Sequence, residues 1–261
     1  MVRILLSKDR KKQIVLDIAL ILVLFVQITF WYHTKHIKPD MIIVPEVPKE
    51  TTVHLLSLGD SQFYFRQLAF KIQNAGDSWG RFTALKDYNY ESLSRWFYLL
   101  DKLDSKSNFI PSLASYYYSQ TQTPEDTVYI VQYLRDHVKK DPRTKWWWLS
   151  QAVYIANHRL KDKKLALEVA YELAATPNDV DMPMWARQMP AFIHEQLGER
   201  ESAKKIIADI MDNFDDFAPG EINFMEYFLR ERLEDETFRT EVIEELRYRA
   251  QKKLESEGIS N

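Results

Sequence analysis

The sequence predicts an all-α protein: one N-terminal transmembrane helix followed by an α-solenoid of about five helical hairpins. Three observations predict it. A near-continuous apolar run, Ile14 to Tyr32, lies close to the N-terminus. Beyond about Asp60 the apolar residues fall at helical spacing, and one such stripe recurs at a nearly constant interval. Glycine is scarce, at 6 residues, while aromatic residues make up 13% of the chain. Few glycines disfavour a turn-rich β fold, and many rings suit helices packed in layers.

Bulk properties bound the function. Setting aside a span and a linker leaves about 200 residues, enough for one well-buried domain. The formal net charge is −3, so no strongly basic face is implied and nucleic acid is not an expected partner. The chain has no cysteine, which removes disulfides, thiolate nucleophiles and cysteine-bound zinc or iron–sulfur sites.

Four segments follow: a basic cytoplasmic tail (1–13), a transmembrane helix (14–32), a proline-containing linker (33–59) and the helical repeat domain (60–257). The apolar run of about 19 residues, rising about 1.5 Å per residue, spans roughly 28 Å, close to the hydrocarbon thickness of a bilayer. Asp17 interrupts it one turn from the polar end, where a carboxylate reaches the headgroups or pairs with Lys11 or Lys12. Trp31 and Tyr32 close the other end, where amphipathic rings favour the interface. A cleaved signal peptide would have a shorter apolar region and a small-residue cleavage site; this run ends in Phe30-Trp31-Tyr32-His33. Arg3, Lys8, Arg10, Lys11 and Lys12 precede the run, and only Lys35 and Lys38 follow closely. The positive-inside rule therefore keeps the N-terminus in the cytoplasm and exports the large domain, which in a bacterium is a periplasmic domain held at the inner membrane. The lipid bilayer is thus an expected partner through residues 14–32. In the segment Ile37 to Thr52, Pro39, Pro45 and Pro48 disfavour helix and predict an extended spacer.

The domain shows self-similarity. Leu93, Trp96, Phe97 and Leu100 are spaced i, i+3, i+4, i+7. The spacing recurs at Ile130, Tyr133, Leu134 and His137, at Ala166, Val169, Ala170 and Leu173, and at Ala203, Ile206, Ile207 and Ile210. The stripes start 37, 36 and 37 residues apart, a period that signals stacked helical hairpins, none able to bury its apolar face alone. The predicted helix pairs are 60–75 with 90–104, 107–120 with 124–140, 143–159 with 162–175, 182–197 with 199–214, and 219–234 with 236–255. The charge-rich last pair suits a polar cap on the stack; a partner-binding tail is the alternative.

At fixed offsets the residue types resemble the tetratricopeptide repeat. Ala166 and Ala203 occupy that family's small position, Ala170 and Ile207 the next, and Asp141-Pro142 and Thr176-Pro177 supply its prolines. Gln196-Leu197-Gly198-Glu199 looks like its inter-helix turn. The likeness covers most of residues 106–216 and departs at Leu93 and Ile130, which are large, and at Gly76 to Asn89, where a longer loop replaces a short turn. The whole pattern is also similar to bacterial inner-membrane proteins in which a single span carries an exported helical repeat domain, a likeness that implies no chemistry.

Motifs with catalytic associations do not hold together. Leu58-Gly59-Asp60-Ser61 matches the Gly-Asp-Ser block of SGNH-type esterases, but none of the 6 histidines has Asp three residues before it. A serine without a base stays inert, so Asp60 or Ser61 is expected to cap the first helix of the domain. Gly76-Asp77-Ser78-Trp79-Gly80 fits neither phosphate-loop nor dinucleotide spacing and predicts a turn. His33 and His36 together make too few ligands for a metal site. His137, on an apolar stripe, is expected as a hydrogen-bonded core histidine. No cofactor and no metal are expected.

Tyr116-Tyr117-Tyr118 and Trp146-Trp147-Trp148 lie on first helices of their hairpins. Three consecutive residues span about 200° of a helix, so one seam cannot bury all three. In the tetratricopeptide family the first helices line a concave groove, so the resemblance implies that at least one ring of each triplet faces it, near Trp185 and Arg187. Tyr117, Trp147, Trp185 and Arg187 are the nominated partner-binding residues; thick packing on both sides of the helix is the competing reading. The expected function is a non-catalytic, membrane-anchored scaffold that holds a protein or peptide at the outer face of the inner membrane. The alternatives are an accessory subunit of an envelope polysaccharide or secretion assembly, or an enzyme whose site the sequence does not reveal.

Overall fold

The computed structural model describes residues 8–36, 43–78, 81–214 and 217–256. Arg3, Pro39, Trp79-Gly80 and the expected domain end at 257 lie outside the described residues. The chain divides into two compact units, residues 1–42 and 43–261.

In the first unit, helix α1 (Lys8–Thr34) contains a stretch, Lys12–Thr34, long and apolar enough to cross a membrane. Within it the Thr29 and Thr34 hydroxyls donate to the Phe25 and Phe30 carbonyls at 2.8 and 2.7 Å. His33 Nδ1 lies 2.9 Å from the Thr29 carbonyl. Lys35 sits over the Trp31 and Tyr32 rings, 5.3 and 4.4 Å from their centroids, so the aromatic end of the helix also holds a cation.

Among its described residues the second unit is mainly helical and carries one two-residue ladder, β1 (Asp77–Ser78) against β2 (Arg81–Phe82). Its first part corrects an expectation. Residues 43–49 form neither helix nor strand, and they are not a free spacer: Val44 is buried and the Pro45 carbonyl accepts the Trp96 indole N–H at 2.7 Å. The chain then forms helix α2 (Glu50–Leu56), with Val53 buried and Glu50 paired with Lys102. Proline governed only the segment up to Pro48; burial of Val44 and Val53 overrides the composition of the rest.

The remaining helices follow the predicted pairs. Asp60 caps α3 (Ser61–Gln73) by accepting the Phe63 N–H at 2.8 Å, as expected of the Gly-Asp-Ser block. Asn89 caps α4 (Tyr90–Leu103) in the same way. Next come α5 (Phe109–Ser112), α6 (Thr127–Lys139), α7 (Pro142–Tyr154) and α8 (Lys163–Ala174). The fourth first-helix is broken into α9 (Met184–Arg187) and α10 (Met189–Gln196), because Pro190 supplies no N–H to the turn before it. α11 (Arg200–Asn213), α12 (Pro219–Phe228) and α13 (Glu236–Ser256) complete the unit. The helices α5, α7 and α12 each run into a π-helical turn, at Leu113–Tyr117, Ile155–Arg159 and Leu229–Leu233.

The predicted stripes are the core. Leu93, Trp96, Phe97, Leu100, Ile130, Tyr133, Leu134, Ala166, Val169, Ala170, Leu173, Ala203, Ile207 and Ile210 are all buried, as is His137; Ile206 is half-buried. Polar contacts between helices repeat at the same interval. Tyr98 donates to Asp136, Arg135 pairs with Glu172, Arg143 with Asp179, and Arg232 with Glu195, each joining residues 36 to 38 apart. Three turns repeat as well. Leu160-Lys161-Asp162, Leu197-Gly198-Glu199 and Leu233-Glu234-Asp235 each place the middle residue in the left-handed region, with φ of 59°, 79° and 54°. In the first and third, the aspartate that follows caps the next helix.

Candidate functional site

The aromatic triplets divide by face. Tyr118 and Trp148 are buried. The Tyr118 hydroxyl donates to the Ile72 carbonyl at 2.6 Å, and the Trp148 indole N–H to Asn108 Oδ1 at 3.1 Å. The middle residues face out: Tyr117 is 45% and Trp147 40% exposed. Helical geometry requires this split, since three successive side chains cannot share one seam.

Trp147 and Trp185 come together, with rings 6.2 Å apart and nearly perpendicular; Trp146 stands 6.3 Å from Trp185. The Trp147 indole N–H donates to the Tyr116 hydroxyl at 3.0 Å. Trp185 in turn borders a cleft of about 480 Å³ lined by Gln188, Phe192, Ala218, Gly220, Glu221 and Phe224. A row of rings therefore runs from Tyr116 through Trp147 and Trp185 to Phe192 and Phe224, all carried by first helices of successive pairs or by the turn that extends them.

Within this cleft the Gln188 side chain is 1% exposed, and neither its amide nitrogen nor its oxygen has a hydrogen-bond partner. Glu221, by contrast, is satisfied by the Met184 and Ala218 N–H groups at 2.6 and 3.0 Å. An unpaired buried amide costs about 1–3 kcal/mol per group, so Gln188 is a local cost to stability beneath the cleft.

Two nominated residues sit elsewhere. Tyr117 lines a separate cleft of about 320 Å³ with Gly76, Phe82, Thr83, Tyr88 and Leu113. The π-helical turn at Leu113–Tyr117 widens the helix just there and shifts the phase that an α-helical count assumes. Arg187 is a correction: it is 3% exposed, donates to the Thr176 and Pro177 carbonyls at 2.7 and 2.9 Å, and stacks over the Phe214 ring. It ties α9 to the turn that follows α8, through the Thr176 and Pro177 carbonyls. Tyr116, Gln188, Phe192 and Phe224 were not nominated. Tyr116 was one position away from a nominated residue; no sequence signal marked Gln188.

Two polar clusters were weighed for chemistry. His137 Nδ1 lies 2.5 Å from Asp101 Oδ1, and Lys140 also pairs with that carboxylate. Burial pushes the Asp101 carboxyl up, but the hydrogen bonds and charges of His137 and Lys140 outweigh it and hold the group below the usual carboxylate range. This is the core histidine that the stripe predicts. Tyr171, His194 and Glu199 form a line, with 2.7 Å from hydroxyl to Nε2 and 2.5 Å from Nδ1 to carboxylate. Burial, and then the Glu199 charge, push the Tyr171 hydroxyl up, the opposite of what an activated nucleophile needs. The arrangement ties α8 to the turn between α10 and α11. Among the described residues, no group of three or more His, Cys, Asp or Glu side chains is placed to hold a metal ion.

No protein-family model, curated protein or solved structure matches the chain, so the geometry of its own residues is the basis for assigning a function.

Proposed function

We propose that the protein is a non-catalytic interaction module, tethered to a membrane by α1, whose tetratricopeptide-like hairpins present the aromatic row to a protein or peptide on the outer side of the inner membrane. The observation that carries this reading is the row itself. Trp147 and Phe224 stay half-exposed beside an apolar cleft of about 480 Å³, and exposed apolar patches of this kind mark interaction sites. The repeat reading is supported by the 36-to-37-residue interval at which stripes, ion pairs and left-handed turns recur.

The test is crosslinking of the tagged full-length protein in its own membrane, with captured partners identified by mass spectrometry. Trp147→Ala and Phe224→Ala should each weaken capture of a stoichiometric partner by about 2 kcal/mol, as interface anchors do, with helical circular dichroism unchanged. Gln188→Leu should raise the thermal stability of the free protein, because it removes a buried unpaired amide. Undiminished capture by both ring variants would exclude the row as the binding surface.

A further inference from the structure

We propose that the outward face of α3 is a second membrane contact, lying on the anionic headgroups of the bilayer that holds the anchor; this rests on the reading of α1 as a membrane span. α3 buries Phe65, Leu68, Ala69 and Ile72. Phe63 and Phe70 lie seven residues apart, on one stripe of the opposite side, and Phe70 is 67% exposed. Arg66 and Gln67 lie between them and are also exposed. The helix contains no acidic residue, and the carboxylate at its N-terminus, Asp60, is engaged as its cap.

The turn that leads into α3 continues the pattern. Leu58 is 91% exposed and is held at a φ of 47°, a left-handed conformation costly for a branched side chain. Leu55 and Leu56, just before it, are exposed as well. No packing within the domain accounts for a strained leucine presented to solvent. Beside the helix, a cleft of about 340 Å³ is lined by Phe65, Ala69, Phe70 and Phe109, with Arg66 among its side chains. Apolar rings and leucines beside cations, with Asp60 as the one carboxylate and that engaged as the helix cap, are the composition of a helix that lies in a lipid interface.

The occupant follows from the tether. A membrane span in the same chain keeps the domain at a high local concentration of lipid, whereas a soluble partner must be recruited. A negative surface also complements Arg66 and Lys71, the two cations of α3.

The absence of cysteine makes the test direct. Gln67→Cys in the full-length chain, labelled with the environment-sensitive NBD fluorophore, is reconstituted in phosphatidylethanolamine–phosphatidylglycerol vesicles with and without doxyl-labelled acyl chains. The same label at Lys164→Cys, exposed on α8, serves as reference. Emission at position 67 should shift to the blue and be quenched by the doxyl lipid, while position 164 stays water-like. Adding Phe63→Ser and Phe70→Ser should abolish both effects with circular dichroism unchanged, and replacing phosphatidylglycerol by phosphatidylcholine should weaken them. If the chain does not float with the vesicles, the anchor reading falls and this proposal with it. If it floats and the probe at 67 emits as in water at low protein-to-lipid ratio, the anchor stands and the proposal alone is overturned, leaving the face to a protein or a second copy.

Discussion

Asp101 is the clearest case of one residue setting a property of the fold. It is buried at the junction of α4 and α6 and holds His137 and Lys140 together. Its carboxyl is depressed below the ordinary value, so its contribution to stability is fully present above the unfolded-state value, about 4, and is lost as pH falls through the folded-state value. Asp101→Asn should lower stability at neutral pH by about 3 kcal/mol, since it removes the carboxylate that pairs with Lys140 and accepts from His137. The wild type should then converge on the variant below about pH 4. Urea midpoints across the acid range check this; a constant gap between the two proteins would refute it. Gly76 is a second such residue. It holds a φ of 79°, and a Cβ there would stand 2.2 Å from the Tyr88 hydroxyl oxygen, so no larger residue fits without moving that ring.

At the scale of elements, the inter-helix turns carry an unexpected uniformity. The position filled by Gly198 is filled by Lys161 one unit earlier and Glu234 one unit later, all with positive φ. The left-handed conformation costs a residue with a Cβ about 1–2 kcal/mol, and glycine's extra unfolded-state entropy returns about 0.5–1 kcal/mol of that. Lys161→Gly should therefore stabilise by about 0.5–1 kcal/mol, read as a rise in thermal midpoint. A fall would mean that the Lys161 side chain holds the turn in a way its backbone does not reveal. The seams between helices make the opposite demand. Ala203 is fully buried on α11 among Ile207, Ile210 and their neighbours, and α10 and α11 approach closely there. Ala203→Trp should destabilise by about 1–3 kcal/mol or more through overpacking; wild-type thermal stability would show the assigned register to be wrong. Both features follow from the period of the chain, but only the glycine version of the turn was legible, because Lys and Glu carry no signature of a positive φ.

At the scale of the whole molecule, the proposed topology rests on the basic tail and the apolar helix. Five cations precede the run and two follow closely, so alkaline phosphatase fused at residue 60 should be active and a cytoplasmic fluorescent reporter at the same point should be dark. The reverse pattern would invert the proposed topology and remove the groove from the outer face.

What the sequence determined by itself is periodic. The apolar run, the four stripes and the pairing of helices are set by local spacing of hydrophobic residues, and each is visible along one dimension; so is the splitting of each aromatic triplet, which helical geometry imposes. What tertiary structure alone decided is which surface each ambiguous side chain meets. Val44 and Val53 draw the second half of the expected spacer onto the domain. Arg187 turns inward to the Thr176 and Pro177 carbonyls in the turn after α8, and Tyr117 lies on a π-helical turn in a cleft separate from Trp147. The orphaned Gln188 emerges only where α10 and α12 enclose it. The physical reason is common to these cases: burial and hydrogen-bond satisfaction are sums over neighbours distant in the chain, and periodicity records only that a residue is apolar or polar, not which partner will cover it.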